Sequence, residues 1–205
     1  MELKDVIEKR ISVREFAAEP VPENDIKEMV RLAGLAPSVN NFQPWKFIAI
    51  TNPDLLNRMA ETVIKSIKKL PTVKTRIAEN IKSQVAWYSS FFEEAPALLA
   101  LAVEPYESVL TKGVDVSNDQ INEIRNFPDI QSTGACIQNL LLAAVDLGYG
   151  ACWLSGPLFA KKELEETLEI EDPWQLMTFV AVGKPKSQTR PKNKRNLGDE
   201  LIILK

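Results

Sequence analysis

Arg10, Ser12 and Arg14 alternate with Ile11 and Val13, directly after a stretch whose apolar residues fall at helical spacing. A period of two points the three polar side chains one way and the two apolar ones the other. Two guanidiniums flanking a hydroxyl suit a phosphate, because each Arg donates through a planar fork and Ser adds a short hydrogen bond. Further along, the loop from Ala36 to Trp45 places Ser38, Asn40, Asn41 and Gln43 between Pro37 and Pro44. Amide donors and acceptors on a stiffened loop suit the polar edge of a planar heterocycle. Taken singly, each feature has a plainer reading: a solvated helix end, and a Pro/Asn turn.

The chain contains no histidine. That excludes Ser-His-Asp and Cys-His catalysis, His-ligated zinc and His-ligated haem. Cys136 and Cys152 are the two cysteines, too few to hold an iron–sulfur cluster. Both fall in apolar runs and read as core packing in a reducing compartment, which predicts a cytoplasmic protein with no metal site. Chemistry, if present, then falls to an organic cofactor. Lys plus Arg is 25 and Asp plus Glu is 28, and the net charge of −3 gives no general attraction to nucleic acid. No apolar run approaches the ~18 residues of a membrane span. Basic residues do gather at Lys184, Lys186, Arg190, Lys192, Lys194 and Arg195. By charge alone, this is a solvated tail.

The elements that must position these groups follow from periodicity. Leu3, Val6 and Ile7 predict a first helix that delivers the Arg/Ser/Arg segment, and Ile26, Met29, Val30 and Ala33 predict a second, stopped by Gly34 and Pro37. Residues 45–51 read as a strand, and Asn52-Pro53-Asp54 turns into a helix. A helix over 73–92 precedes a buried strand over 94–104, which is apolar almost without alternation. Residues 105–129 are polar and mixed, a loop or lid with short helical turns. Helix 131–147 is apolar around most of its circumference, with Gly134 and alanines that allow close approach. A monomer core or a subunit interface would each explain it. Strands at 151–154 and 176–182 flank a helix over 161–168. Strands separated by helices predict one domain over 1–205, with a mixed sheet flanked by helices.

The first two motifs, in this order, resemble the FMN-dependent nitroreductase family. The similarity continues through Gly134–Gly150, Trp153–Pro157 and the basic tail Pro191–Leu197, and it spans residue 2 to the C-terminus. It implies an α+β sandwich built as an entwined homodimer, with 184–205 as a C-terminal arm. FMN would sit non-covalently at the interface, in sites shared by the two subunits. By position, Arg10 and Ser12 match the phosphate and ribityl contacts, and Arg14 matches a basic residue near the N1/C2 side of the ring. Pro37, Ser38, Val39, Asn41 and Gln43 match contacts from the other subunit. Leu154, Ser155 and Gly156 match a backbone turn facing N5 and O4, and Lys194 and Arg195 match the returning phosphate contacts.

The implied activity is that of an FMN-dependent NAD(P)H oxidoreductase. NADH or NADPH would donate, and a nitroaromatic, quinone or similar small-molecule acceptor would take two electrons by a ping-pong route. Flavin N5 carries the hydride there, so no side-chain acid or base is needed, and neither membrane nor nucleic acid is a partner. The alternatives are a low-turnover flavin-binding or redox-sensing protein, or specialised flavin chemistry such as dehalogenation, enone reduction or FMN fragmentation. This chain departs from the pattern twice. The stretch Trp87–Phe92 stands where many members carry an Asn and a Lys on the ring, and Ser155 stands where an acidic side chain is frequent.

Overall fold

The computed structural model describes residues 1–187 and 201–204. Its centre is a sheet of four strands, β1 (Trp45–Ile50), β2 (Ala97–Val103), β3 (Gly150–Leu154) and β4 (Gln175–Gly183), in spatial order β1-β2-β4-β3. All three strand pairs are antiparallel. The mixed character expected of the sheet is confined to one parallel bridge, Ser12 to Ala151, beside β3. A strand without alternation reports burial on both faces, and burial does not fix strand direction.

Among the described residues seven helices surround the sheet: α1 (Leu3–Lys9), α2 (Glu23–Ala33), α3 (Pro53–Lys69), α4 (Arg76–Ser90), α5 (Asn118–Ile124), α6 (Pro128–Asp146) and α7 (Lys161–Thr167). Every residue of β2 is buried, and its side chains feed two cores in alternation. Leu98 and Ala100 meet Leu56, Met59 and Val63 of α3 and Phe179 of β4 on one face. Leu99 and Leu101 meet Met29 of α2 and Ile137 and Leu140 of α6 on the other. Helices on both faces of an α+β sheet are therefore the observed architecture. The start of α3 follows from its sequence: the Asn52 side chain accepts from the N–H groups of Asp54 at 2.9 Å and Leu55 at 3.2 Å, and Pro53 opens the helix.

The apolar circumference of α6 is explained within the chain. α1, α2, β3 and the 3₁₀ turn Val39–Asn41 all pack against it, and Cys136, Ile137, Leu140 and Ala144 are fully buried. The close approach expected at Gly134 is absent among the described residues, since a Cβ there would meet nothing within 4 Å. Uncovered apolar surface lies instead beside α6, in a groove between α1, α2 and α6 lined by Leu3, Leu32, Leu35 and Leu142. Leu3 and Leu35 are exposed, as are Leu201, Ile202, Ile203 and Leu204.

The segment 105–129 forms a 3₁₀ turn at Val109–Lys112 and then α5, which opens on a capping box between Ser117 and Gln120. It is anchored rather than loose. The Tyr106 carbonyl accepts from the side-chain amides of Asn118 and Asn122, both at 3.0 Å, and its N–H donates to Asp129 at 3.3 Å.

Candidate functional site

The Arg10–Arg14 segment leaves α1 in extended conformation and docks along β3. The Val13 N–H donates to the Ala151 carbonyl at 3.0 Å. Val13 is buried and Ser12 exposed, as their alternation predicts, while Arg10, Ile11 and Arg14 are all half-buried. Gly150 makes this docking possible. A Cβ at that position would lie 2.6 Å from Val13 Cγ2 and 2.8 Å from Val13 Cβ.

Beyond Arg14 the chain borders a cleft of about 480 Å³, walled by Tyr88 and Ser89 of α4, by Trp153 and Leu154 of β3, and by the turn Ser155–Gly156. Gly156 lets that turn close on α4, since a Cβ there would fall within 3.0 Å of the Ser89 Cα. Trp153 is held by its indole N–H donating to Thr178 Oγ1 at 2.7 Å, and that hydroxyl donates to the Leu154 carbonyl at 2.7 Å. Among the described residues Arg14 is the only charged side chain lining the cleft. Neither Arg10 nor Arg14 enters a salt bridge among them. The guanidinium carbon of Arg14 lies 5.6 Å from the centre of the Tyr88 ring. The cleft is thus aromatic and carries one uncompensated positive charge.

The loop at 37–43 is built for display. Asn40, Asn41 and Gln43 take positive φ values of 48°, 56° and 52°, a region that costs non-glycine residues on the order of 1–3 kcal/mol each. The surrounding bonds hold them there. Ser38 Oγ accepts from the Gln43 N–H at 2.9 Å, Gln43 Nε2 donates to Asn41 Oδ1 at 3.2 Å, and Asn40 Nδ2 donates to the Tyr106 hydroxyl at 2.6 Å. The Val39 N–H donates to Ser132 Oγ at 3.1 Å, tying the loop to α6. Pro37, Asn41 and Gln43 are exposed, and Ser38 and Val39 are half-buried. The loop lines no part of the cleft beside Arg14.

Within one chain, then, Arg14, Leu154, Ser155 and Gly156 meet at one cleft, Arg10 and Ser12 precede Arg14 on its docked segment, and the loop residues stand apart. Lys194 and Arg195 lie outside the described residues. Sequence reasoning passed over Gly150 and Ser89 as positioning residues, and over Tyr106 as the anchor of the loop. The Gly-Tyr-Gly run at 148–150 was a readable signal for the first; Ser89 and Tyr106 carried none. Cys136 is buried and its thiol is pushed up to about 12 by that burial, which leaves it inert near neutral pH. Cys152 is buried as well, with its thiol 3.7 Å from the Trp153 carbonyl oxygen. Among the described residues no helix is long and apolar enough to cross a membrane.

An α+β sheet sandwiched by helices, with a basic extended segment leading into an aromatic cleft, defines a class, and the chain belongs to it: the Nitroreductase family pattern matches residues 7–184. Its similarity to a BluB-like flavoprotein from Clostridium difficile 630 covers 100% of both chains, at 31% identity and a TM-score of 0.89. YfhC of Bacillus subtilis strain 168, provisionally named as an NAD(P)H nitroreductase, is 26% identical over 201 residues, covering 96% of this chain and 91% of that protein. An iodotyrosine deiodinase bound to FMN and 3-iodo-L-tyrosine shares the fold, with a TM-score of 0.69 and 24% identity over 99% of this chain and 97% of that one.

Proposed function

We propose that this protein is an FMN-dependent NAD(P)H oxidoreductase that reduces electron-poor small molecules, nitroaromatics or quinones among them, from flavin sites shared between two subunits. The observation that carries this reading is the Arg14 guanidinium, set at the wall of an aromatic cleft without an acidic partner among the described residues. Bound there, FMN would supply the hydride-accepting group for electrons from NADH or NADPH.

The residues fit such a group. Arg10 and Ser12, on the outward side of the docked segment, suit its single terminal phosphate. Arg14 suits the pyrimidine edge of the ring, where negative charge develops on reduction. A fixed guanidinium stabilises that charge and cannot lose its proton to avoid it. Trp153 lines the cleft, and the main chain from Leu154 through Ser155 to Gly156 bounds it beside that indole. No general base is required, in keeping with a chain that lacks histidine. Lys194 and Arg195 are the candidates for further phosphate contacts. The chain acts as one FMN-binding unit over 1–205, with 184–205 as an arm, and works in the cytoplasm.

Two features support a homodimer. The amide-bearing loop, with Pro37, Ser38, Val39, Asn41 and Gln43, is preformed and displayed, yet lies away from the cleft of its own chain. Groove residues Leu3 and Leu35 and the segment Leu201–Leu204 are exposed in the single chain, apolar surface that a second subunit would cover. The loop of one subunit would then complete the cleft of the other. Refolding a mixture of Arg10→Ala and Asn41→Ala chains tests this. Half of the dimers are mixed, and each has one intact site of two, so under limiting FMN, where neither parent retains the cofactor, activity should recover to roughly a quarter of wild type. A mixture no better than its parents, or a dilute monomer that keeps its FMN, would contradict the shared site.

The cofactor is tested by denaturing the purified protein and identifying the released flavin. FMN is expected. FAD as the tightly held species, or no uptake of added FMN, would remove the basis of the reading. Product analysis with a halogenated tyrosine beside a nitroaromatic and a quinone separates general reduction from specialised chemistry. The deiodinase that shares this fold makes the first substrate a pertinent one to include.

A further inference from the structure

Among the described residues Arg14 borders the cleft beside an aromatic row and meets no counter-charge. Its guanidinium faces the Tyr88 ring at 5.6 Å. Tyr88 meets Trp87 edge to face, with ring centres 4.8 Å apart and planes at 78°. Trp87 lies 6.1 Å from Phe91, and Phe91 is buried in the core. The row therefore runs from the core outward to the cation. Ser89, next in sequence, is packed against Gly156 and clamps the end of α4 to the turn after β3.

We propose that Tyr88 is the positioning residue for Arg14, holding its guanidinium by a cation–π contact so that the full charge and the N–H donors stay available inside the cleft. The inference rests on the reading of the cleft as a flavin site. A carboxylate could hold Arg14 equally well, but two opposite charges in contact cancel most of their field at a third point. An aromatic face attracts the cation through its quadrupole and adds no net charge. Unlike a carboxylate, it takes up none of the guanidinium's N–H donors in bidentate pairing. Residues 87–92, from Trp87 to Phe92, supply no second cation to the cleft. The placement of Arg14 therefore sets how strongly the site favours the reduced over the oxidised cofactor.

The test is a cycle of Tyr88→Leu and Tyr88→Phe, each made in the wild-type and Arg14→Gln backgrounds, read as the two-electron reduction potential of the bound flavin. Tyr88 is half-exposed at 46%, so neither change opens a core cavity. Tyr88→Leu should reduce the preference for reduced over oxidised flavin about two- to fivefold, the range for an exposed cation–π contact. At 29.6 mV per tenfold for a two-electron couple, that is a shift of about 9–21 mV to more negative potential. Tyr88→Phe keeps the ring and should stay near wild type. In the Arg14→Gln background Tyr88→Leu should change nothing further. An equal Tyr88→Leu shift in both backgrounds, no shift in either, or a Tyr88→Phe shift as large as that of Tyr88→Leu would each overturn the inference while leaving the flavin reading intact. A wild-type protein that takes up no flavin would overturn both.

Discussion

Arg14→Ala should slow reduction of the bound flavin by NADH or NADPH about ten- to a hundredfold while most of the FMN stays in place. Arg10→Ala should do the reverse, weakening FMN retention by a similar factor with little effect on the reduction step. The magnitude is that of one hydrogen bond to a charged group, roughly 1.5–3 kcal/mol. The contrast follows from position on one docked segment. Arg14 lines the cleft and faces the Tyr88 ring, whereas Arg10 sits at the C-terminal end of α1, four residues earlier. A group that stabilises charge formed during the reaction affects rate and potential, and one that holds an unchanging phosphate affects affinity. Stopped-flow reduction and equilibrium FMN binding measure the two separately. Equal losses of affinity for both variants, with unchanged potential, would show that the roles are misassigned.

The second large effect is steric and needs no ligand to detect. Gly150→Ala would set its Cβ 2.6 Å from Val13 Cγ2 and 3.0 Å from Val13 Cγ1, contacts that ordinary packing does not allow. Val13 is buried and bonded through its N–H to Ala151, so relief requires the whole segment to lift from β3. Overpacking of this kind costs roughly 1–3 kcal/mol, or a fall in Tm of about 2–4 °C per kcal/mol in a chain of this length. FMN retention should fall with it, because Ser12 and Arg14 ride on the displaced segment. Val13→Ala in the same chain removes the clashing methyls and should restore part of both. A Gly150→Ala protein as stable as wild type, with FMN bound normally, would mean that the segment is not held where the structure places it.

These effects mark where the sequence was legible. The alternation of Arg10, Ser12 and Arg14 with Ile11 and Val13 is a local property, and it survived folding because Val13 had a core to enter. The strand and helix order was readable for the same reason, each element being carried by its own period. Direction and packing partners were not. β2 is apolar throughout, which fits a covered strand of either sense, and it pairs antiparallel on both sides. The apolar girth of α6 fitted an interface or a core, and only the placement of α1, α2 and the Val39–Asn41 turn against it assigns it to the core. Asn40, Asn41 and Gln43 announce a turn, but their left-handed backbone depends on Tyr106 and Ser132, which lie far along the chain. Tyr88 stands 74 residues after Arg14, and no local pattern could have put its ring over that guanidinium.

The most direct measurement is an anaerobic titration of the purified protein with NADH and, separately, NADPH, following flavin absorbance and then adding a nitroaromatic or a quinone. A yellow protein is expected, whose absorbance bleaches stoichiometrically with at least one of the two nucleotides and returns when the acceptor is added. A protein that binds FMN yet is bleached by neither nucleotide would contradict it.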